Sequence, residues 1–153
     1  MIPRTGPADP RSVLFLCSLN AIRSPMAAAL LRHLRGGLVA VRSAGIRGGA
    51  VVDGFAIAAM GELGIDIKDH RPTALDQLEG CGFDLVITLS PEAHHRALEL
   101  TREHAIAIEY WAIQDPTVVE GPREARLEAY RDVRDGLIKR IRARFPAPLV
   151  PKF

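Results

Sequence analysis

The chain has 153 residues, 48% of them apolar, which suits one globular domain with a full core. Its net charge of +2 is scattered along the sequence, so nucleic acid is not an expected partner. No stretch approaches the roughly 18 unbroken apolar residues of a membrane span, and the opening MIPRTGPADP lacks an apolar signal core, so neither a membrane partner nor export is expected and the chain reads as cytoplasmic.

Residues 1–11 are Pro-rich and read as a disordered N-terminal tail. SVLFLC, ending at Cys17, is a continuous apolar run and predicts a buried strand. After a polar loop, PMAAALLRHLR carries Met26, Leu30, Leu31 and Leu34 at helical spacing until Gly36 and Gly37 stop it. GLVAVRSAG predicts a second strand, DGFAIAAMGELG a helix capped by Asp53 and stopped at Gly64, and FDLVITLS a third strand. PEAHHRALELT opens a helix with Pro91, and AIAIEYW is a short fourth strand. A loop containing Asp115-Pro116 leads into PREARLEAYRDVRDGLIKRIRARF, a long helix with Leu127, Tyr130, Val133, Leu137, Ile138 and Ile141 on one face and its arginines on a solvated one. Residues 147–153 form a C-terminal tail. The alternation predicts a single three-layer α/β domain over residues 12–146, a four-stranded parallel sheet with helices on both faces.

The loop between the first strand and first helix concentrates the chemistry. A strand ending at Cys17 brings the sulfur to the C-terminal edge of the sheet, where open α/β folds bind ligands. Arg23 follows after five residues, and Ser24-Pro25 begins a helix, so loop and helix N–H groups can converge on a tetrahedral oxyanion. Arg23 adds a planar fork of donors, and together with the helix dipole and the Ser24 hydroxyl it favours the nucleophilic thiolate. The C-x5-R spacing alone is a weak signal in an Arg-rich chain, and free cysteine is often core filler; the preceding strand and following helix give the spacing its weight. Asp115-Pro116 alone reads as a turn, and His94-His95 as a solvated helix face. The two cysteines, Cys17 and Cys81, are too few for a disulfide framework and lie outside any zinc-type cluster, so no metal site or cofactor is expected.

With CSLNAIRSPMA, VRSAGI, LGIDIKDHRPT, FDLVITLS and WAIQDP in place, the chain resembles the low-molecular-weight protein tyrosine phosphatase family, including its arsenate reductase branch. The resemblance implies a phosphate loop of Ser18, Leu19, Asn20, Ala21, Ile22, Arg23 and Ser24 around a Cys17 nucleophile. It further implies Arg23 as oxyanion clamp, Ser24 as hydrogen-bond donor to the thiolate, and Asp115 as general acid. Asn20, Ser43 and His70 match positions that brace the loop. The expected strand order is 2-1-3-4.

Departures from the family pattern narrow the expectation. IRGGAVV and DPTVVEG lack the aromatics that wall a phosphotyrosine ring, which disfavours phosphotyrosine as substrate. Ile22 replaces a second loop thiol, Ser90 stands where thioredoxin-coupled reductases carry a second cysteine, and Ala28 replaces a potassium-binding Glu. Cys81 precedes the third strand, at the edge opposite Cys17, too far for a disulfide relay. The expected activity is a cysteine-dependent phosphomonoester hydrolase acting on a phosphorylated protein or a small phosphate ester. The alternatives are an arsenate reductase resolved by a small external thiol as reductant, and an oxyanion- or phosphoprotein-binding module with little catalysis.

Overall fold

The computed structural model describes residues 6–49, 51–78, 82–102 and 106–147; Cys81 lies outside them. Strands β1 (Ser12–Cys17), β2 (Ala40–Gly45), β3 (Leu85–Thr88) and β4 (Ala107–Tyr110) alternate with helices α1 (Arg23–Arg35), α2 (Gly54–Gly61), α3 (Pro91–Leu100) and α4 (Arg123–Arg144). The sheet order is β2-β1-β3-β4, all neighbours parallel, as expected from sequence. Short 3-10 turns occupy Leu75–Leu78 and Pro116–Val118. Among the described residues no helix is long and apolar enough to cross a membrane.

The central strand explains the layering. Successive side chains of a strand face opposite sides, so Val13, Phe15 and Cys17 enter the layer of α1, α2 and α4. Leu14 and Leu16 enter the layer beneath α3, against Ala93 and Ala97. All five β1 residues from Val13 to Cys17 are buried, and each large one contributes roughly 1.5–3 kcal/mol of burial. A strand buried on both faces has an apolar run in place of alternation, which is why SVLFLC looks as it does. Its last residue therefore places a polar sulfur at the seam between core and loop.

The helix ends follow local rules. Asp53 accepts from the N–H groups of Phe55 and Ala56, and Ser90 accepts from Ala93 N–H with Pro91 behind it, so both caps were readable from sequence. His94, expected on a solvated face, instead stacks on Tyr110 at 4.7 Å and pairs its Nδ1 with Thr88 Oγ1 at 3.0 Å. Its neighbour His95 is exposed, one helical step further round.

The far edge of the sheet is closed by charge. Arg144, almost fully buried, donates through Nε to Glu109 at 2.7 Å and through its other nitrogens to the carbonyls of Pro7 and Ala8. Arg11 N–H donates to Asp84 at 2.8 Å. Residues 7–11 thus run along the body of the domain on backbone hydrogen bonds, which their tail-like composition does not reveal. Glu109→Gln removes the countercharge of a buried guanidinium and is expected to destabilise the fold by about 3 kcal/mol, read from the urea midpoint.

Candidate active site

The loop from Cys17 to Ser24 is held by the segment that follows β2. Ile46 N–H donates to Cys17 O, Arg47 N–H to Ser18 O, Gly49 N–H to Leu19 O and Asp53 N–H to Ala21 O, all at 2.9–3.0 Å. With those carbonyls turned outward, the N–H on the far side of each peptide turns inward. One such group, Asn20 N–H, meets Cys17 Sγ at 3.3 Å. Gly45 makes the close approach possible: a Cβ there would lie 2.5 Å from Arg47 O and 2.7 Å from Leu19 C.

Asn20 organises the interior of the loop. It is fully buried and sits at φ +58°, in the left-handed region that Asn tolerates better than most residues. Thr73 N–H, which can only donate, reaches one terminal atom of its amide at 2.8 Å, so that atom is the oxygen. The amide nitrogen then donates to Ser24 Oγ at 2.7 Å and Ser43 Oγ at 2.9 Å. His70 Nε2 lies 3.0 Å from Asn20 O and 3.1 Å from Asn20 Oδ1, both acceptors, so Nε2 carries the imidazole proton. Ser24 Oγ stands 2.9 Å from Cys17 Sγ and 3.3 Å from Ala44 O. Its one proton serves the sulfur when Cys17 is a thiolate, and the carbonyl when the thiol itself donates. Cys17, Asn20, Ser24, Ser43 and His70 are thereby joined in one network.

The mouth of the loop is charged. Ser18 Oγ is 3.2 Å from Ser90 Oγ at the end of β3. Arg47 bonds Glu92 on the first turn of α3, and Arg47 and then Ser18 hold the Glu92 carboxyl below its ordinary range. Leu19 is exposed, Ala21 and Ile22 are half-buried, and Arg23 opens α1 with its guanidinium partly buried. Arg23 Nη1 donates to Ile113 O at 3.0 Å, tying the loop to the segment after β4. Two residues on, Asp115 caps the turn Pro116–Val118, its Oδ1 accepting from Thr117 N–H at 2.9 Å and Thr117 Oγ1 at 2.7 Å. Both bonds fall on one oxygen and leave Oδ2 for another proton.

One group at the site was not assigned to it from sequence. Tyr130, read as part of the apolar stripe of α4, donates its hydroxyl to Asp53 Oδ2 at 3.2 Å and packs on Phe55 at 5.3 Å between centroids. Burial, then Asp53, then the more distant Asp115 carboxylate push the Tyr130 hydroxyl far above its ordinary pKa, so it stays a donor. The two stretches expected to lack rings do lack them; the Phe55 and Tyr130 rings belong to α2 and α4 and meet the loop only through Asp53. Only Asp53, as a helix cap, carried a local signal.

A thiol at the end of a central parallel strand, met by a loop amide and a serine hydroxyl and followed by an arginine at a helix start, defines the cysteine-phosphatase-like α/β fold. The chain belongs to the low molecular weight phosphotyrosine protein phosphatase family, which it matches over residues 12–147. It is 34% identical over 132 residues to an arsenate reductase of Shouchella clausii, covering 85% of this chain and 91% of the relative. It is 30% identical over 131 residues to a glutaredoxin arsenate reductase of Synechocystis, covering 86% and 93%. Among solved structures, an arginine phosphatase from Geobacillus stearothermophilus superposes with a TM-score of 0.72 at 29% identity, covering 88% and 90%.

Asn20→Ala strips partners from several buried groups and adds the cost of a left-handed alanine. It is expected to lower stability by about 2–4 kcal/mol in urea melts. Burial, reinforced by Arg32 and opposed by the bond to Asn20, lowers the His70 pKa below its ordinary value of 6.5. The unfolded chain then binds the proton more readily, so the His70 contribution to stability is present above pH 6.5 and lost as pH falls toward the folded value. Across pH 7.5 to 5, wild type is expected to lose more stability than His70→Gln; parallel curves would contradict this.

Proposed function

We propose that the chain is a cysteine-dependent phosphomonoester hydrolase that works through a phosphocysteine. The observation that carries the reading is the bond from Arg23 to Ile113 O, because it links an anion-binding loop to a segment bearing a carboxyl group with one free oxygen. A pure anion receptor has no need of that carboxyl group, whereas a reaction that expels an oxygen leaving group does.

Cys17 is the nucleophile. Its thiolate accepts from Asn20 N–H and Ser24 Oγ–H and attacks phosphorus, forming an S–P bond as the ester P–O bond breaks. Asp115 gives a proton to the leaving oxygen. As a carboxylate it then takes a proton from the water that attacks phosphorus, and the S–P bond breaks to restore the thiolate. The inward amides of the loop from Ser18 to Ser24 and two nitrogens of Arg23 hold the phosphoryl oxygens, while Nη1 keeps its bond to Ile113 O. Asn20, Ser43 and His70 position these donors without touching substrate.

A second reading is supported by Ser90. Its hydroxyl lies beside Ser18, at the strand end where a resolving cysteine would be expected, so arsenate reduction would draw on an outside thiol. Cys17 would displace hydroxide from arsenate, and an external thiol would attack Cys17 Sγ, releasing arsenite and leaving a mixed disulfide. A second external thiol would free Cys17. Two thiols are oxidised as arsenic passes from +5 to +3. The relative named a glutaredoxin arsenate reductase favours a small dithiol protein or glutathione as that reductant.

p-Nitrophenyl phosphate hydrolysis in the presence of chelator tests the first reading. Cys17→Ser is expected to abolish turnover while retaining phosphate binding, and Asp115→Asn to slow it about 10²–10⁴-fold. Wild-type rates in either variant overturn the mechanism. Arsenite formation from arsenate and glutathione with glutaredoxin, in the absence of ester hydrolysis, moves the assignment to the second reading.

A further inference from the structure

Resting on the phosphate-ester reading above, we infer that Arg123 and Arg126 form a second anion site beside the catalytic loop, selecting phosphate esters that carry another anionic group. Both guanidinium groups lie over the ring of Phe55, at 5.8 Å and 4.7 Å from its centroid. Both residues are exposed, and among the described residues neither has a carboxylate at ion-pair distance. Arg140 over Trp111, at 5.9 Å, likewise has no carboxylate partner among the described residues but shares its ring with no second guanidinium, and several other arginines are paired. Arg131 has Glu62, Glu124 and Glu128, Arg134 has Glu62 and Asp135, Arg144 has Glu109 and Arg47 has Glu92.

Two guanidinium groups on one ring repel each other, and both stand in the first turn of α4, where the helix dipole disfavours cations and the acid of that turn, Glu124, is paired with Arg131. Locally unfavourable choices of this kind are expected at functional sites. The ring beneath them connects directly to the loop. Phe55 is the second residue of α2, Asp53 caps that helix and donates its N–H to Ala21 O, and Tyr130 both packs on Phe55 and bonds Asp53. Asp115 caps the Pro116–Val118 turn, which packs on α4, the helix that carries both arginines. The arginine pair is therefore tied through Phe55 and Asp53 to the Cys17–Ser24 loop and through α4 to the Asp115 turn, and the remainder of a bound ester is placed between them. A carboxylate or second phosphate on that remainder would accept hydrogen bonds from both guanidinium groups and relieve their repulsion.

Calorimetry on the full chain tests this independently of turnover. The probes are benzylphosphonates carrying a carboxylate on a para arm of one, two or three carbons, each compared with the matching carboxamide. At about 50 mM salt at least one carboxylate is expected to bind about three- to tenfold more tightly than its carboxamide. That preference should shrink toward unity at about 500 mM salt and in the Arg123→Gln/Arg126→Gln double variant. Equal affinity of every pair, or a preference that the double variant leaves intact, overturns the inference while the loop reading stands. If no benzylphosphonate binds, the loop reading itself fails and the inference falls with it.

Discussion

The amide of Asn20 is the constraint on which the rest of the site depends. Its oxygen and nitrogen are both satisfied, from Thr73 and His70 on one side and to Ser24 and Ser43 on the other. These partners come from three separate parts of the chain, so one side chain fixes the loop against α1, β2 and the segment before the first 3-10 turn. The left-handed backbone at the same residue turns its N–H toward Cys17 Sγ. Under the proposed function the loop presents inward donors to an anion and cannot spend them on its own structure. It is braced instead by its outward carbonyls and by this one amide. No buried side-chain N or O among the described residues lacks a partner.

The same logic explains how charge is distributed. Arginines with structural work carry compensating carboxylates or carbonyls: Arg144 at the sheet edge, Arg134 beneath α2, and Arg32 donating to Val41 O. Burial and the neighbouring Arg42 lower the Arg32 pKa, and Arg32 in turn disfavours a charge on His70. A neutral imidazole suffices at His70, because the bonds to Asn20 need only the proton on Nε2. A second proton would add charge beside Arg32 without adding a bond to Asn20, so positive potential is not wasted behind the loop. In front of it, Arg23 retains N–H groups beyond the one given to Ile113 O.

How much was legible in the sequence follows the range of the interactions. Cys17 and Arg23 are six positions apart on a strand and the first residue of the next helix, and a buried strand, a helix start and a spacing are local signals. The existence of the four strands and the caps at Asp53 and Ser90 are likewise local consequences of apolar runs and polar punctuation, whereas their order in the sheet came with the family resemblance. Ser43 and His70 could be named only through a family resemblance, because nothing in VRSAG or KDHRP by itself points at Asn20. Tyr130 illustrates the failure. At helical spacing its ring belongs to an apolar stripe, and the hydroxyl that meets Asp53 across 77 positions has no periodicity to betray it. His94 failed for the opposite reason, since a polar side chain on an exposed turn finds Thr88 and Tyr110 only once β3 and β4 are side by side. The anchoring of residues 7–11 is made by carbonyl oxygens, which every residue has and no composition reports.

Arg23 places a physical limit on how such a site can operate. The sheet order sets β3 and then β4 to one side of β1, so the segment after β4 reaches the catalytic loop only over the end of β3. The bond from Arg23 Nη1 to Ile113 O spans that gap, 90 positions apart in sequence. Because a guanidinium group is planar and its N–H directions are fixed, the orientation that satisfies Ile113 O also sets where its remaining donors point. In the proposed reaction, anion binding at Arg23 and the position of Asp115 would be coupled through one rigid group. A lysine, with a single rotatable ammonium, would hold the charge but lose that coupling. Geometry more than charge makes an arginine the residue required at position 23.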